Sequence, residues 1–333
     1  MKSALGGKGA NLAEMTNLGV PVPPGFTIAA TECISYLDDG TIPAELRAEV
    51  EANVARLEEI SGKKFGDAKD PLLVSVRSGA AVSMPGMMET ILNLGLNDRT
   101  VVVLARASGS ARFAYDSYRR FIQMYADVVL GVPSSAFEHM LTAKRMTAGV
   151  ESDAELSEDA LRNLTEEFKA IVRNQTGTPF PSDPAEQLWG AIEAVWRSWT
   201  LKKARDYRRV NGIPETLGTA VNIVAMVFGN LGDDSGTGVA FTRDPSTGEH
   251  KFYGEFLINA QGEDVVAGIR TPIAIDQMAA RLPAAFEQLM DTQARLERHF
   301  CDMQDIEFTV ERGTLYLLQT RTGKRTAAAP VRI

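Results

Sequence analysis

The stretch Asp302-Met303-Gln304-Asp305-Ile306-Glu307-Phe308 decides how the last part of the chain folds. Polar and apolar residues alternate along it, so Asp305 and Glu307 project from one face of a β-strand. Ile306 and Phe308 fill the opposite face. Like charges this close together favour a cation or an arginine between them, so the stretch predicts a polar patch suited to a ligand.

A second strand follows after a short turn. We predict a three-residue loop at Arg312-Gly313-Thr314, which closes a β-hairpin. The resulting register places Glu307 opposite Gln319 and Asp305 opposite Arg321. Carboxylate and amide oxygens suit Mg²⁺, and the arginine beside them suits a phosphate. The alternative is an exposed hairpin face with salt bridges, the commoner fate of a polar strand face.

The rest of this last lobe mixes strands and helix. Glu263 and Asp264 lie in a turn between apolar runs, which either closes on a substrate or begins a helix with an acid pair. β-type residues and a helical repeat predict an α+β lobe with strands at 220–228, 238–242, 252–257 and 306–318 and a helix at 284–299.

The first lobe contains an apolar strand at 71–77 that ends in an arginine. An arginine that emerges from a buried strand needs an anionic partner, so Arg77 is a candidate for a phosphate or for a structural carboxylate. The segment 78–88 is rich in Gly, Pro and Met, and we predict a mobile loop over a ligand. Helical spacing predicts helices at 11–18 and 43–60.

A glycine-rich segment, Leu5-Gly6-Gly7-Lys8-Gly9-Ala10-Asn11, places Lys8 in a turn just before a helix. Free backbone N–H groups and the helix dipole favour a phosphate there. The segment is not a Walker A loop, because Gly9 follows Lys8 where Ser or Thr is required. An exposed lysine on a surface loop is the alternative.

The middle of the chain is predicted to be helical from 99 to 172, with a break at 174–184. Arg120 lies on a helix with a basic face, where packing by aromatic residues is the simpler interpretation and a phosphate contact the other. These signals predict three segments: residues 1–98 and 183–333 as the two main lobes and 99–182 as a helical subdomain.

Composition excludes several classes of protein. The 333 residues are 44% hydrophobic and 23% charged, near the average of soluble globular proteins, and none of the apolar runs would span a bilayer. A net charge of −8 argues against a nucleic-acid surface. Cys33 and Cys301 form no metal or disulfide motif, and with no export signal at the start we expect a cytoplasmic protein.

Taken together, these motifs resemble the nucleotide-binding domain of the pyruvate phosphate dikinase family. The resemblance covers nearly the whole chain and implies an ATP-grasp fold, with α+β lobes and an inserted helical subdomain, in which ATP lies between lobes and Mg²⁺ bridges its phosphates. The segments that carry the resemblance occur in the family's order: 6–12, 75–79, 84–88, 256–266, 302–308 and 318–321.

The resemblance also implies roles for individual residues. Lys8 and Arg77 would contact the ATP phosphates, Gly86 would lie in the mobile loop, and Glu307 and Gln319 would bind Mg²⁺. The nucleotide-binding set is Lys8, Arg77, Gly86, Asp305, Glu307 and Gln319. The site for inorganic phosphate and pyrophosphate would consist of Arg120, Glu263, Asp264 and Arg321. Together with Arg77, these four residues form the implied catalytic set.

The family's enzyme interconverts ATP, phosphate and pyruvate with AMP, pyrophosphate and phosphoenolpyruvate through a phosphohistidine on a separate domain. The family's Gly-Gly-x-Thr-Ser-His-Ala motif does not occur in this sequence. We therefore expect the ATP and phosphate partial reaction, with a histidine domain in cis or in trans and with no nucleic acid or membrane as partner. A catalytically silent ATP-binding or regulatory module is the alternative, and a homodimer is compatible with either.

Overall fold

The computed structural model describes residues 1–266 and 270–332. The chain forms two compact units, the first made of Met1–Gly6 and Pro24–Met226 and the second of Gly7–Pro23 and Val227–Ile333. Both predicted boundaries, after residues 98 and 182, fall inside the first unit, so the division into three segments stays a prediction. None of the helices in the described ranges is both long and apolar enough to cross a membrane.

The first unit is built on a four-stranded antiparallel sheet in the order β1-β6-β4-β5, with β2 and β3 as a separate parallel pair. Its strands are β1 (Gly25–Ile28), β2 (Lys64–Phe65), β3 (Pro71–Leu72), β4 (Val74–Gly79), β5 (Thr90–Leu94) and β6 (Ala220–Ala225). Val76 and Ile223 pair across β4 and β6 with no exposed surface. The strand predicted at 71–77 is confirmed as β3 and β4.

Helices make up most of the first unit, including the predicted helical stretch and its break. Ser110 and Asp183 cap α5 and α8 with their side chains, and Pro184 begins α8. The helices are α2 (Ala30–Asp39), α3 (Ala44–Ser61), α4 (Thr100–Ser108), α5 (Ala111–Val128), α6 (Ser134–Ala148), α7 (Glu158–Thr176), α8 (Pro184–Ser198) and α9 (Lys202–Asn211).

The second unit is an antiparallel five-stranded sheet, in the order β11-β10-β7-β8-β9, with helices on one face. Its strands are β7 (Gly236–Phe241), β8 (Tyr253–Ile258), β9 (Ile273–Ala274), β10 (Gln304–Glu311) and β11 (Thr314–Thr322). Its helices are α10 (Gly262–Val266), α11 (Met278–Arg281) and α12 (Pro283–Phe300), and α1 (Lys2–Asn17) enters the unit after Gly6. The strands predicted at 238–242 and 252–257 are confirmed as β7 and β8, the run at 306–318 spans β10 and β11, and the helix at 284–299 is confirmed as α12. The strand predicted at 220–228 is β6, which ends at Ala225 and belongs to the first unit. Both units are α+β.

The core of the second unit lies on the helical side of this sheet. Ile306 and Phe308 of β10 pack there with Leu289 of α12 and Met15 of α1, all essentially without exposed surface. Since side chains alternate along a strand, Asp305 and Glu307 are turned to the other face. Burial of the apolar half of β10 therefore decides which way its carboxylates point.

Candidate functional site

The β10–β11 hairpin has the predicted register at its polar patch. Glu307 pairs with Gln319 and Asp305 pairs with Arg321. The predicted loop length is wrong, because the turn contains only Arg312 and Gly313. Both residues have positive φ, 48° and 78°, as in the type I′ turn that matches the twist of two antiparallel strands.

A β-bulge reconciles the short turn with the predicted register. From the turn, pairing runs regularly to Phe308 opposite Leu317 and then shifts, so that Leu318 is an extra residue. Without this bulge, the two-residue turn would place Leu318 opposite Glu307 and would turn Gln319 to the core face. The bulge is therefore what brings the amide of Gln319 to the carboxylates.

Four of the predicted site residues meet on this face. The Arg321 Nε donates to Asp305 Oδ2 at 2.7 Å, and Gln319 Nε2 donates to Glu307 Oε1 at 2.8 Å. A guanidinium nitrogen of Arg321 also lies 3.9 Å from Glu307 Oε1. The arginine thus stands beside both carboxylates, which is the arrangement that two adjacent negative charges require.

The same face offers oxygen donors suited to a hard cation. Because Gln319 uses its amide nitrogen on Glu307, its amide oxygen remains the acceptor end of the group. Among the described residues, no group of three or more His, Cys, Asp or Glu side chains could hold a metal ion. Mg²⁺ commonly takes only one or two protein carboxylates together with nucleotide phosphates and waters, so the donor set fits that kind of site.

Lys8 lies within a helix. Helix α1 runs from Lys2 to Asn17, and its only non-helical residue is Gly6, with φ 68° and ψ 176°. The predicted glycine-rich turn is therefore wrong in extent, since it is confined to Gly6. Lys8 belongs to the first turn after the break at Gly6.

Arg77 lies just before an irregular loop in the first unit, and Gly86 lies within that loop. Arg77 lies on β4, half-buried, between Thr90 of β5 and Asn222 of β6. The irregular segment predicted at 78–88 is confirmed only from Ala80 onward, because β4 continues to Gly79 and β5 begins at Thr90. The Met87 N–H donates to the Met84 carbonyl at 3.1 Å across Pro85 and Gly86. With φ 72° at Gly86, this is a type II turn, which requires glycine at that position.

The remaining predicted residues lie on two helices. Arg120 is in α5, where its Nε is 3.2 Å from Asp116 Oδ2. Asp264 is in α10 and accepts the Gln261 N–H at 2.9 Å, which supports the helix-start interpretation for this acid. Glu263 belongs to α10 as well, but its side chain lies outside the described part of the structure.

The sequence matches one protein family over almost its full length. The sequence matches the family model described as pyruvate phosphate dikinase, AMP/ATP-binding domain, over residues 2–63, 41–284 and 276–333. The chain belongs to the pyruvate phosphate dikinase family. It corresponds to the family's AMP/ATP-binding domain, as the resemblance of its motifs predicted.

Relatives in the family are similar over the full length of this chain. The chain is 57% identical to a pyruvate, phosphate dikinase of Clostridium symbiosum and 56% identical to one of Rhizobium meliloti, and it covers 38% of each. It is 52% identical to the chloroplastic pyruvate, phosphate dikinase 1 of Zea mays, of which it covers 35%. The chain thus spans little more than a third of the length of these dikinases.

Two threonines extend the polar face of this dikinase domain and were not predicted. The Thr237 hydroxyl donates to the Phe308 carbonyl at 3.0 Å and lies 3.3 Å from the Thr309 hydroxyl. Continuing the alternation from Glu307 would have found Thr309 in the sequence. Thr237 could not be found in this way, because its position depends on the pairing of β7 with β10.

Asp302 and Arg325 make the stability of the dikinase domain depend on pH. The Arg325 guanidinium donates to both carboxylate oxygens of Asp302, and this contact lowers the pKa of Asp302 although burial acts in the opposite direction. A lowered pKa stabilises the fold above the unfolded-state pKa, about 3.9, and this contribution disappears as the pH falls through the lower folded-state value.

We therefore expect Arg325→Gln to reduce the free energy of unfolding by less than about 1 kcal/mol at pH 7, because the pair is partly exposed to solvent. The difference from the wild type should shrink as the pH falls below about 3.9 and through the lower folded-state pKa of Asp302. Urea unfolding at a series of pH values measures the difference in free energy of unfolding between the wild type and Arg325→Gln. An equal loss at pH 7 and at pH 3 would show that the electrostatic contact is not the cause.

Proposed function

We propose that the chain is an ATP-grasp module that performs the ATP half of the dikinase reaction. Its substrates would be ATP and inorganic phosphate, and its acceptor a histidine on a separate domain. AMP keeps the α-phosphoryl group of ATP. Of the β- and γ-phosphoryl groups of ATP, one must then be transferred to the histidine. The other must be transferred to inorganic phosphate and form pyrophosphate, so that the phosphorus atoms balance.

The observation that carries this proposal is the polar face of the β10–β11 hairpin. Asp305, Glu307, Gln319 and Arg321 are in contact there, in the register that the hairpin pattern of the sequence predicts. Phosphoryl transfer needs in-line positioning and neutralisation of negative charge that spreads over the phosphate oxygens. This face offers oxygen donors for a cation and an arginine beside them. A bound cation and the arginine would together position the phosphate groups and neutralise their charge.

Mg²⁺ would be held by Glu307 and Gln319, and when bound it would neutralise charge on the nucleotide phosphates. The Gln319 amide nitrogen and Arg321, which contact the Glu307 carboxylate here, would then share it with the cation. Arg321 would remain anchored on Asp305 through its Nε, 2.7 Å away, while its terminal nitrogens serve a phosphate. Lys8 and Arg77 would add positive charge toward the ATP phosphates.

Titration calorimetry with Mg·ATP tests the nucleotide site. We expect Arg77→Ala and Glu307→Ala each to weaken binding about 10- to 100-fold, because a hydrogen bond to a charged group contributes about 1.5–3 kcal/mol. Arg173→Ala and Glu287→Ala are the matched controls, since both side chains are exposed on other elements, and they should bind like the wild type.

Failure of the wild-type chain to bind Mg·ATP, in a sample shown to be folded, would contradict the proposal. So would unchanged affinity in both site variants. If Mg·ATP binds, phosphate and a separately produced histidine domain of a family member are added, and AMP and pyrophosphate are measured. Binding without these products would favour the catalytically silent module.

A further inference from the structure

Helix α5 contains a buried acid that holds two arginines at once. The Asp116 side chain is 6% exposed. Its Oδ1 accepts hydrogen bonds from Arg119, at 2.9 Å from Nε and 2.8 Å from a terminal nitrogen. Its Oδ2 is 3.2 Å from Arg120 Nε. The spacing of three and four residues along one helix brings all three side chains to the same side.

Arg119 is fixed at its other end as well. The same terminal nitrogen lies 3.0 Å from Asp153 Oδ2, and the whole side chain is only 3% exposed. Asp153 is held in turn, because its carbonyl accepts from Arg112 at 2.9 Å. Arg119 therefore ties the Asp116 carboxylate to the short helical turn that contains Asp153, and Asp116 has little freedom to rotate.

Arg120 receives its orientation from this fixed carboxylate. Nε is the nitrogen nearest the aliphatic stem, so a contact there constrains the plane of the guanidinium and leaves Asp116 in control of its direction. The carboxylate stays ionised. Burial raises the pKa of Asp116, but the nearby Arg119, Arg120 and Arg112 guanidinium groups outweigh it and lower the pKa overall.

We infer that Asp116 is a positioning residue that orients Arg120 toward inorganic phosphate. The inference rests on the proposed function, which makes Arg120 a phosphate ligand. Planar, two-pronged recognition of a phosphate depends on the direction of the guanidinium and not only on its charge. Asp116 would thus act on phosphate affinity through Arg120 without touching phosphate itself.

The test measures binding of inorganic phosphate by equilibrium dialysis and binding of Mg·ATP by calorimetry. Asp116→Asn is nearly isosteric but offers one oxygen and an NH₂ group where two oxygens are needed. We expect it to weaken phosphate binding about 10-fold, by analogy with the loss of one charge-assisted hydrogen bond, and to leave Mg·ATP binding within about twofold of the wild type.

Asp153→Asn is the matched control. It loosens the same cluster on the far side of Arg119 but leaves the contact between Asp116 and Arg120 in place. We expect it to lower the melting temperature and to weaken phosphate binding by less than about twofold, because an asparagine at this position still offers an oxygen to Arg119. Equal losses of phosphate affinity in Asp116→Asn and Asp153→Asn would reduce Asp116 to a structural role and would overturn the inference.

Two more variants keep the test decisive. If Asp116→Asn fails to fold, the double variant Asp116→Asn with Arg119→Met removes both buried charges together, and the same loss of phosphate affinity is expected. Arg120→Ala separates this inference from the proposed function. Unchanged phosphate affinity in Arg120→Ala would remove Arg120 from the proposed site. A loss of phosphate affinity in Arg120→Ala, combined with unchanged affinity in the Asp116 variants, would contradict only the positioning role of Asp116.

Discussion

Gly6→Ala is expected to lower the free energy of unfolding of the first unit by about 3 kcal/mol or more, since it combines a backbone conformation restricted to glycine with a steric overlap. A Cβ atom at this residue would stand 1.6 Å from the carbonyl oxygen of Gly79, at the end of β4. The backbone, with φ 68° and ψ 176°, is itself unfavourable for alanine. Both effects act where helix α1 breaks, directly before the segment that carries Lys8.

Gly40→Ala isolates the backbone effect. Gly40 ends α2 with φ 69°, and an added Cβ would meet no atom within 4 Å, so a loss of only about 1 kcal/mol is expected. Urea unfolding followed by tryptophan fluorescence is suited to both variants, because Trp189, Trp196 and Trp199 all belong to the first unit. Equal losses in the two variants would show that the clash with Gly79 is relieved at little cost.

Arg208→Ala is expected to cost about 3 kcal/mol, because it removes a buried charge together with its packing and its hydrogen bonds. The Arg208 side chain has no exposed surface and lies over the Trp199 ring, 3.9 Å from its centre. It donates to the Trp199 carbonyl at 2.7 Å and pairs with Glu215. Its loss would leave a buried carbonyl without this donor and a cavity beside the indole.

The neighbouring residue provides the control for Arg208. Arg209 is 78% exposed and pairs with Asp206, 3.0 Å away, at the protein surface, so Arg209→Ala should change stability by less than about 0.5 kcal/mol. The same fluorescence-detected unfolding measures both variants. A loss in Arg209→Ala that matches that of Arg208→Ala would mean that helix propensity or net charge, and not burial against Trp199, determines the effect.

Short-range sequence patterns predicted much of the fold and part of the candidate site. The alternation in β10 predicted that Asp305 and Glu307 share one face, and the pairing with Arg321 and Gln319 is confirmed. The predicted break before α8 is confirmed as well, and the Asp183 side chain caps the helix that follows it. A strand alternates, and a helix begins at a capping side chain, because of interactions within a few neighbouring residues.

The hairpin also shows where local patterns fail. The predicted register is correct, but the predicted loop that led to it is not, since a shorter turn and the bulge at Leu318 together give the same pairing. The cost of turning Gln319 into the core is felt only when β10 packs on its helices. Likewise the requirement for a glycine at Gly6 comes in part from the close approach of Gly79, which is far away in sequence.

By itself, the sequence determined the α+β character of both units, the polar face of β10 and membership of the pyruvate phosphate dikinase family, because strand alternation, helix caps and ordered motifs are properties of short segments. Only the tertiary structure decided that Leu318 bulges, that Arg208 is buried while Arg209 is not, and that Asp116 holds both Arg119 and Arg120. Each of these features depends on packing and hydrogen bonding between elements. Two adjacent arginines in one helix, such as Arg208 and Arg209, can therefore have different burial and different partners.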